Sequence, residues 1–159
     1  MRIEKDITYG KDNHTMQKLD IYLPDKEEFP VIVYFHGGGI ERGDKECVFC
    51  SYLQKKGIGV VSANYRMYPD AKYPEFLEDA AEAVSWTVKN ISSYGKVTNI
   101  YVGGSSAGGY ISQMLCFDKE YLGKHGVDPD SLSGFFFDAG RRQYISMCFV
   151  KRALTREGL

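Results

Sequence analysis

Gly104-Ser105-Ser106-Ala107-Gly108 sets a serine hydroxyl at the centre of a G-x-S-x-G pentapeptide. Asn99-Ile100-Tyr101-Val102 before it reads as a short buried strand, and Gly109 to Leu115 after it as a helix. Between a strand and a helix this spacing makes a nucleophile elbow, a turn tight enough to force unfavourable backbone angles on the serine. Gly104 and Gly108 leave room where strand and helix crowd that turn. The spacing selects Ser106, because centring on Ser105 would put Ala107 where the second glycine belongs. The elbow aims Ser106 at a helix N-terminus, where unpaired N–H groups and the helix dipole favour negative charge. The chemistry would be acyl transfer, with the N–H of Ala107 as one donor to a tetrahedral oxyanion.

A second donor must come from another loop. Val31-Ile32-Val33-Tyr34-Phe35 is a continuous apolar strand that runs into His36-Gly37-Gly38-Gly39. Three glycines let the backbone approach a ligand closely and turn N–H groups into a cavity, which makes Gly38 and Gly39 the candidate partners of Ala107, with Gly37 supporting them. Either motif alone is a weak signal; strand, glycine triplet, later strand, G-x-S-x-G and helix in that order is specific. His36 could be taken for a catalytic base. It precedes the nucleophile, whereas this arrangement places the histidine last, so its expected role is to orient its own loop.

With His36-Gly-Gly-Gly and Gly104-Ser-Ser-Ala-Gly-Gly109 stand Ala63-Asn64-Tyr65-Arg66, the stretch from Tyr73-Pro74 to Glu78-Asp79-Ala80, and Leu19-Asp20-Ile21-Tyr22-Leu23-Pro24. Together they resemble the hormone-sensitive-lipase-like and acetyl-esterase branch of the α/β-hydrolases, over residues 1–140. The resemblance implies a carboxylic-ester hydrolase acting on a small-molecule ester, with no metal or organic cofactor. By position it carries the nucleophile to Ser106 and the oxyanion donors to Gly38, Gly39 and Ala107. Ser105 departs from the pattern, since relatives usually carry an acid there.

A serine hydroxyl is a poor nucleophile without a base to take its proton and an acid to orient that base. The histidines are His14, His36 and His125, and only His125 follows Ser106. The acids between them, Asp118 and Glu120, belong to the elbow helix or its exit, too local to reach back over the sheet. His125 is therefore expected on a solvated helix end, and the acid and base are expected to be missing.

The elements that must hold these groups read as β, β, β, α, β, α, β, α, β. Residues 2–9 and 17–23 suit an antiparallel pair around Gly10-Lys11-Asp12-Asn13. Strand 31–35, helix 45–56, strand 58–64 and helix 75–92 follow, the last marked by Phe76, Ala80, Ala83, Val84, Trp86, Val88 and Ile91 at helical spacing. Strand 99–103, the elbow helix 107–117 and strand 133–138 complete the order. Alternating β and α predicts an α/β fold with a mainly parallel sheet covered by helices on both faces. Phe135-Phe136-Phe137 is apolar on both faces of its strand, as an interior parallel strand would be. Nothing after it reads as another strand and crossover helix, so either it forms an exposed edge able to pair with a second copy, or the fold is cut short at its C-terminal side.

At 159 residues with 43% apolar residues and net charge −1, the chain suits one globular domain. No near-neutral 18-residue apolar run exists, so no membrane span is expected; Met1 to Asp6 lacks a signal-peptide core, which predicts a cytoplasmic location. Residues 141–159 carry five basic residues and one acid, +4 against −5 for the fifteen basic and twenty acidic residues before them. Codons can be chosen for residues 140–159 so that another frame encodes a peptide similar to that of relatives, so an out-of-frame ending is expected. Cys47-Val48-Phe49-Cys50 could be half a zinc site or a redox pair. No second C-x-x-C exists and the segment reads as an amphipathic helix, so core packing is expected. Ser105 and Asp44 stand where a dinucleotide fingerprint needs glycine and a phosphate loop needs lysine. Basic and aromatic residues do not interleave, which argues against nucleic acid. Besides an ester hydrolase, a non-catalytic binding module and a self-associating fragment stay open.

Overall fold

A computed structural model describes residues 1–138. The division at residue 140 and the basic tail at 141–159 lie outside them. Six strands form one sheet in the order β1-β2-β4-β3-β5-β6: β1 Arg2–Thr8, β2 Lys18–Leu23, β3 Glu28–Phe35, β4 Gly59–Ala63, β5 Lys96–Ser105 and β6 Gly134–Asp138. β1, β2 and β4 pair antiparallel, while β4, β3, β5 and β6 run parallel. The helices are α1 Val48–Lys55, α2 Glu75–Asn90, α3 Ala107–Phe117 and α4 Lys119–Gly123.

Alternation along the strands assigns the two layers. Leu19, Ile21, Val31, Val33, Phe35, Val61 and Val102 face α2 and α3 in the main core. Tyr22, Tyr34 and Val60 face the other way and pack with Cys50 of α1. The central strands are apolar on both faces because both faces are covered, so the expected α/β layering is present.

The differences from expectation are local. β3 starts three residues earlier and includes Pro30, which cannot donate to a ladder; the β3–β5 register shifts between Phe29 and Val31, where Pro30 sits. Helix α1 begins at Val48, since Asp44, Lys45 and Glu46 stay in the loop. Val88, read as part of the apolar stripe of α2, is exposed, and the buried face runs through Phe76, Leu77, Ala80, Ala81, Ala83 and Val84. Helix α4 and a 3-10 turn at Pro129–Ser131 add to the expected order of elements. Among the described residues β6 pairs with β5 alone, and Phe136 and Phe137 are half-buried.

Candidate active site

Phe35, the last residue of β3, lies opposite Gly104 of β5 in the parallel ladder. The two segments leaving these strands, His36–Gly39 and Ser105–Ala107, are therefore neighbours. The junction is crowded: a Cβ on Gly104 would stand 2.4 Å from the Phe35 carbonyl oxygen, and one on Gly108 only 1.9 Å from it. Strand β3, strand β5 and helix α3 meet at a spacing that only glycine permits.

Ser106 has φ 52° and ψ −114°, a conformation L-residues rarely adopt. Its N–H donates to the Asp138 carbonyl at 2.6 Å and its carbonyl accepts from the Tyr110 N–H at 3.0 Å. These two bonds hold the turn from both sides and leave Ser106 exposed at the start of α3. Ala107 is the first residue of that helix, whose leading N–H groups have no intrahelical acceptors. Ser105, where an acid was usual, donates its hydroxyl to Asp138 Oδ2 at 3.1 Å.

The glycine triplet faces the elbow. A Cβ on Gly37 would lie 3.0 Å from the Ser105 carbonyl oxygen and 3.2 Å from Ser106 Cβ. Gly38 (φ 121°) and Gly39 (φ 68°) lie where glycine is favoured, and Gly38 accepts through its carbonyl from Glu41 and Arg42 N–H, both at 3.2 Å. A Cβ on Gly39 would meet nothing within 4 Å, so that residue borders open space.

His36 is buried, with its ring stacked on Tyr65 at 4.6 Å between centroids and 15° between planes. Its Nδ1 is 2.7 Å from the Gly37 carbonyl oxygen, so the proton sits on Nδ1. Burial holds its pKa below the ordinary value, which keeps the ring neutral. All of this ties the ring to its own loop. His125 lies just beyond α4, where its carbonyl accepts from Ser85 and Lys89 of α2; it is not brought to the elbow. His14 accepts a bond from the Met16 N–H within the β1–β2 turn.

Several supporting residues carried no role on sequence. After β4, Asn64 accepts from the Lys45 N–H at 2.6 Å and donates to Asp44 at 2.9 Å, fixing the exit of the glycine loop. Tyr65 donates its hydroxyl to the His36 carbonyl at 2.8 Å. Arg66 makes a forked ion pair with buried Asp79 of α2, which also accepts from Gln17 at 2.9 Å. Lys45 is buried and spans Asp6 and Asp20 at 3.0 Å each. Asn64, Tyr65, Arg66 and Asp79 lie in the stretches that carry the family resemblance, whereas Lys45 lies in none of them. Among the described residues no helix is long and apolar enough to cross a membrane.

A family profile described as BD-FAE matches residues 19–131. The esterase LipI of Mycobacterium tuberculosis is 37% identical over 97 residues, which covers 58% of this chain and 30% of that protein. Carboxylesterase NlhH of the same organism is 34% identical over 122 residues, covering 72% of this chain and 38% of its own length. Among solved structures, a bacterial heroin esterase superposes with a TM-score of 0.67 at 25% identity, covering 85% of this chain and 42% of that one. Esterase B of Lactobacillus rhamnosis superposes with a TM-score of 0.69 at 23% identity, over 80% of this chain and 44% of that one, and supports the fold. The chain thus spans less than half the length of these relatives. Elbow, glycine loop and profile match agree: the chain belongs to the BD-FAE family, among the esterases of α/β-hydrolase fold.

Proposed function

We propose that Ser106 is the nucleophile of a carboxylic-ester hydrolase that works through an acyl-enzyme. The hydroxyl oxygen attacks the acyl carbon of a small-molecule ester, and the oxyanion is received by N–H groups of Gly38, Gly39 and Ala107. The alcohol leaves, and water later attacks the acyl carbon to return Ser106. No metal or organic cofactor enters this scheme. The observation that carries it is the left-handed Ser106 in close contact with Gly37 across two parallel strands.

The base and acid come, on this reading, from polypeptide outside these 159 residues. The rings of His14 and His36 are bonded within their own loops, and His125 lies beyond α4 with its carbonyl held by α2. The chain alone should then turn over esters weakly or not at all. What an oxyanion hole and binding contribute without a triad is about 10³–10⁴ over water. A short-chain nitrophenyl ester assay with Ser106→Ala as control tests this; Ser106-dependent hydrolysis at ordinary esterase rates would show that the base is already present. Covalent labelling by a fluorophosphonate separates a primed serine from a non-catalytic binding module, which would not label.

Self-association is the second reading, favoured by half-buried Phe136 and Phe137 on β6, which pairs with β5 alone among the described residues, beside exposed Phe117. Light scattering that finds a monomer at high concentration would rule it out.

A further inference from the structure

The face of the sheet opposite α2 and α3 holds a pair of thiols that ester hydrolysis does not use. Cys47 is the N-cap of α1, in extended conformation, and the Cys50 N–H closes the first turn on the Cys47 carbonyl at 3.2 Å. The turn places both side chains in one packed cluster, Cys50 at its centre and Cys47 against its edge. Cys50 is fully buried against Tyr22, Tyr34 and Val60, whereas Cys47 is half-buried. Beside it Val48 is 89% and Phe49 44% exposed, so the outer thiol can be approached from solvent. Both cysteines are free. A metal would need more ligands, and among the described residues no three His, Cys, Asp or Glu side chains gather.

We infer that Cys47 and Cys50 form a thiol–disulfide exchange site that takes a small disulfide such as oxidised glutathione as co-reactant. The Cys47 thiolate attacks one glutathione sulfur, the glutathione S–S bond breaks, and one glutathione thiolate leaves. Cys50 then gives its proton to solvent and attacks Cys47 Sγ in the mixed disulfide, and the second glutathione thiolate leaves. Two protein thiols are oxidised to one disulfide, and one glutathione disulfide is reduced to two thiols.

Position gives each cysteine its part, Cys47 half-buried at the rim and Cys50 fully buried behind it, and the electrostatics run the same way. The Cys50 side chain, with the backbone N–H groups of Phe49 and Cys50, holds the Cys47 thiol below its ordinary value. The same contact and burial push Cys50 up. An exposed thiolate ahead of a buried protonated thiol is the order that attack followed by resolution requires. The titratable groups facing the pair, Tyr22 and Tyr34, are raised by burial, Tyr34 to about 12, so both are neutral near pH 7.

Trypsin releases Glu46–Lys55, which contains these two cysteines and no other. After incubation with excess oxidised glutathione and alkylation of the remaining thiols, that peptide should lose two hydrogens and take up no alkyl group. Cys50→Ser should trap one glutathione on Cys47, and Cys47→Ser should trap none. Iodoacetamide capture of Cys47 in the reduced protein should titrate below the ordinary cysteine range. Glu46–Lys55 recovered fully alkylated from oxidised, folded wild-type protein would overturn the inference. So would glutathione appearing first on Cys50. Neither readout depends on ester hydrolysis, so failure here leaves the assignment of Ser106 untouched.

Discussion

Gly108→Ala tests whether the elbow is built by close packing of backbones. The added Cβ would lie 1.9 Å from the Phe35 carbonyl oxygen and 2.8 Å from that of His36. Ordinary carbon–oxygen contact begins at about 3.3 Å, so the end of β3 and the start of α3 must separate by about 1.4 Å. No side chain can rotate away, because both colliding atoms are main chain. Overpacking of this kind costs about 1–3 kcal/mol, and a backbone collision belongs at the upper end. For a domain of this size that lowers Tm by about 6–12 °C. The same shift pulls Ser106 from the glycine loop, and a 1 Å misplacement can cost about 10²-fold in rate. Gly123→Ala is the control: it adds a methyl group in α4 with nothing within 4 Å and should be neutral or slightly stabilising. Thermal unfolding and the rate of fluorophosphonate labelling read the two effects. A Gly108→Ala protein that melts and labels like wild type would refute the close-packed elbow.

Asp79→Asn removes the charge from a buried carboxylate and leaves Arg66 without its forked partner; urea denaturation should show a loss of about 3 kcal/mol. Ser106→Gly should abolish labelling yet raise stability by about 1 kcal/mol, because glycine accepts φ 52° without strain; a lower Tm would contradict that strain. His36 gives a pH signature. Burial lowers its folded pKa below 6.5, so as pH falls from about 6.5 the unfolded chain takes up the proton first. Stability should drop across that window, and His36→Gln should lose less over the same pH range; parallel curves would show that His36 contributes nothing.

Much of this architecture was legible because it rests on apolar runs and glycine punctuation. The Val31–Phe35 run and the alternation in the first two strands name their elements, and G-x-S-x-G names the boundary between β5 and α3. The pattern fails where a few residues decide. Asp118 ends α3 and caps α4 by accepting the Glu120 N–H at 3.1 Å, so two helices adjoin with no glycine or proline between them. Val88 keeps the helical spacing of the core yet sits on its margin, since periodicity gives an angle and not how far the neighbouring layer extends. The functions of Asn64 and Arg66 depend on partners 19 and 13 residues away, a distance over which spacing carries no signal.

The parallel ladder that seats the glycine triplet beside Ser106 joins two segments separated by the whole of β4 and α2. During synthesis the triplet leaves the ribosome well before its counterpart, and β3 cannot gain its second neighbour until residue 96 onward has emerged. Bringing the elbow and the glycine loop together is therefore a non-local closure, subject to the slow kinetics that such pairings impose. An unfinished chain halted in α2 would display a row of bare main-chain donors along β3, an invitation to a chaperone or to another nascent strand.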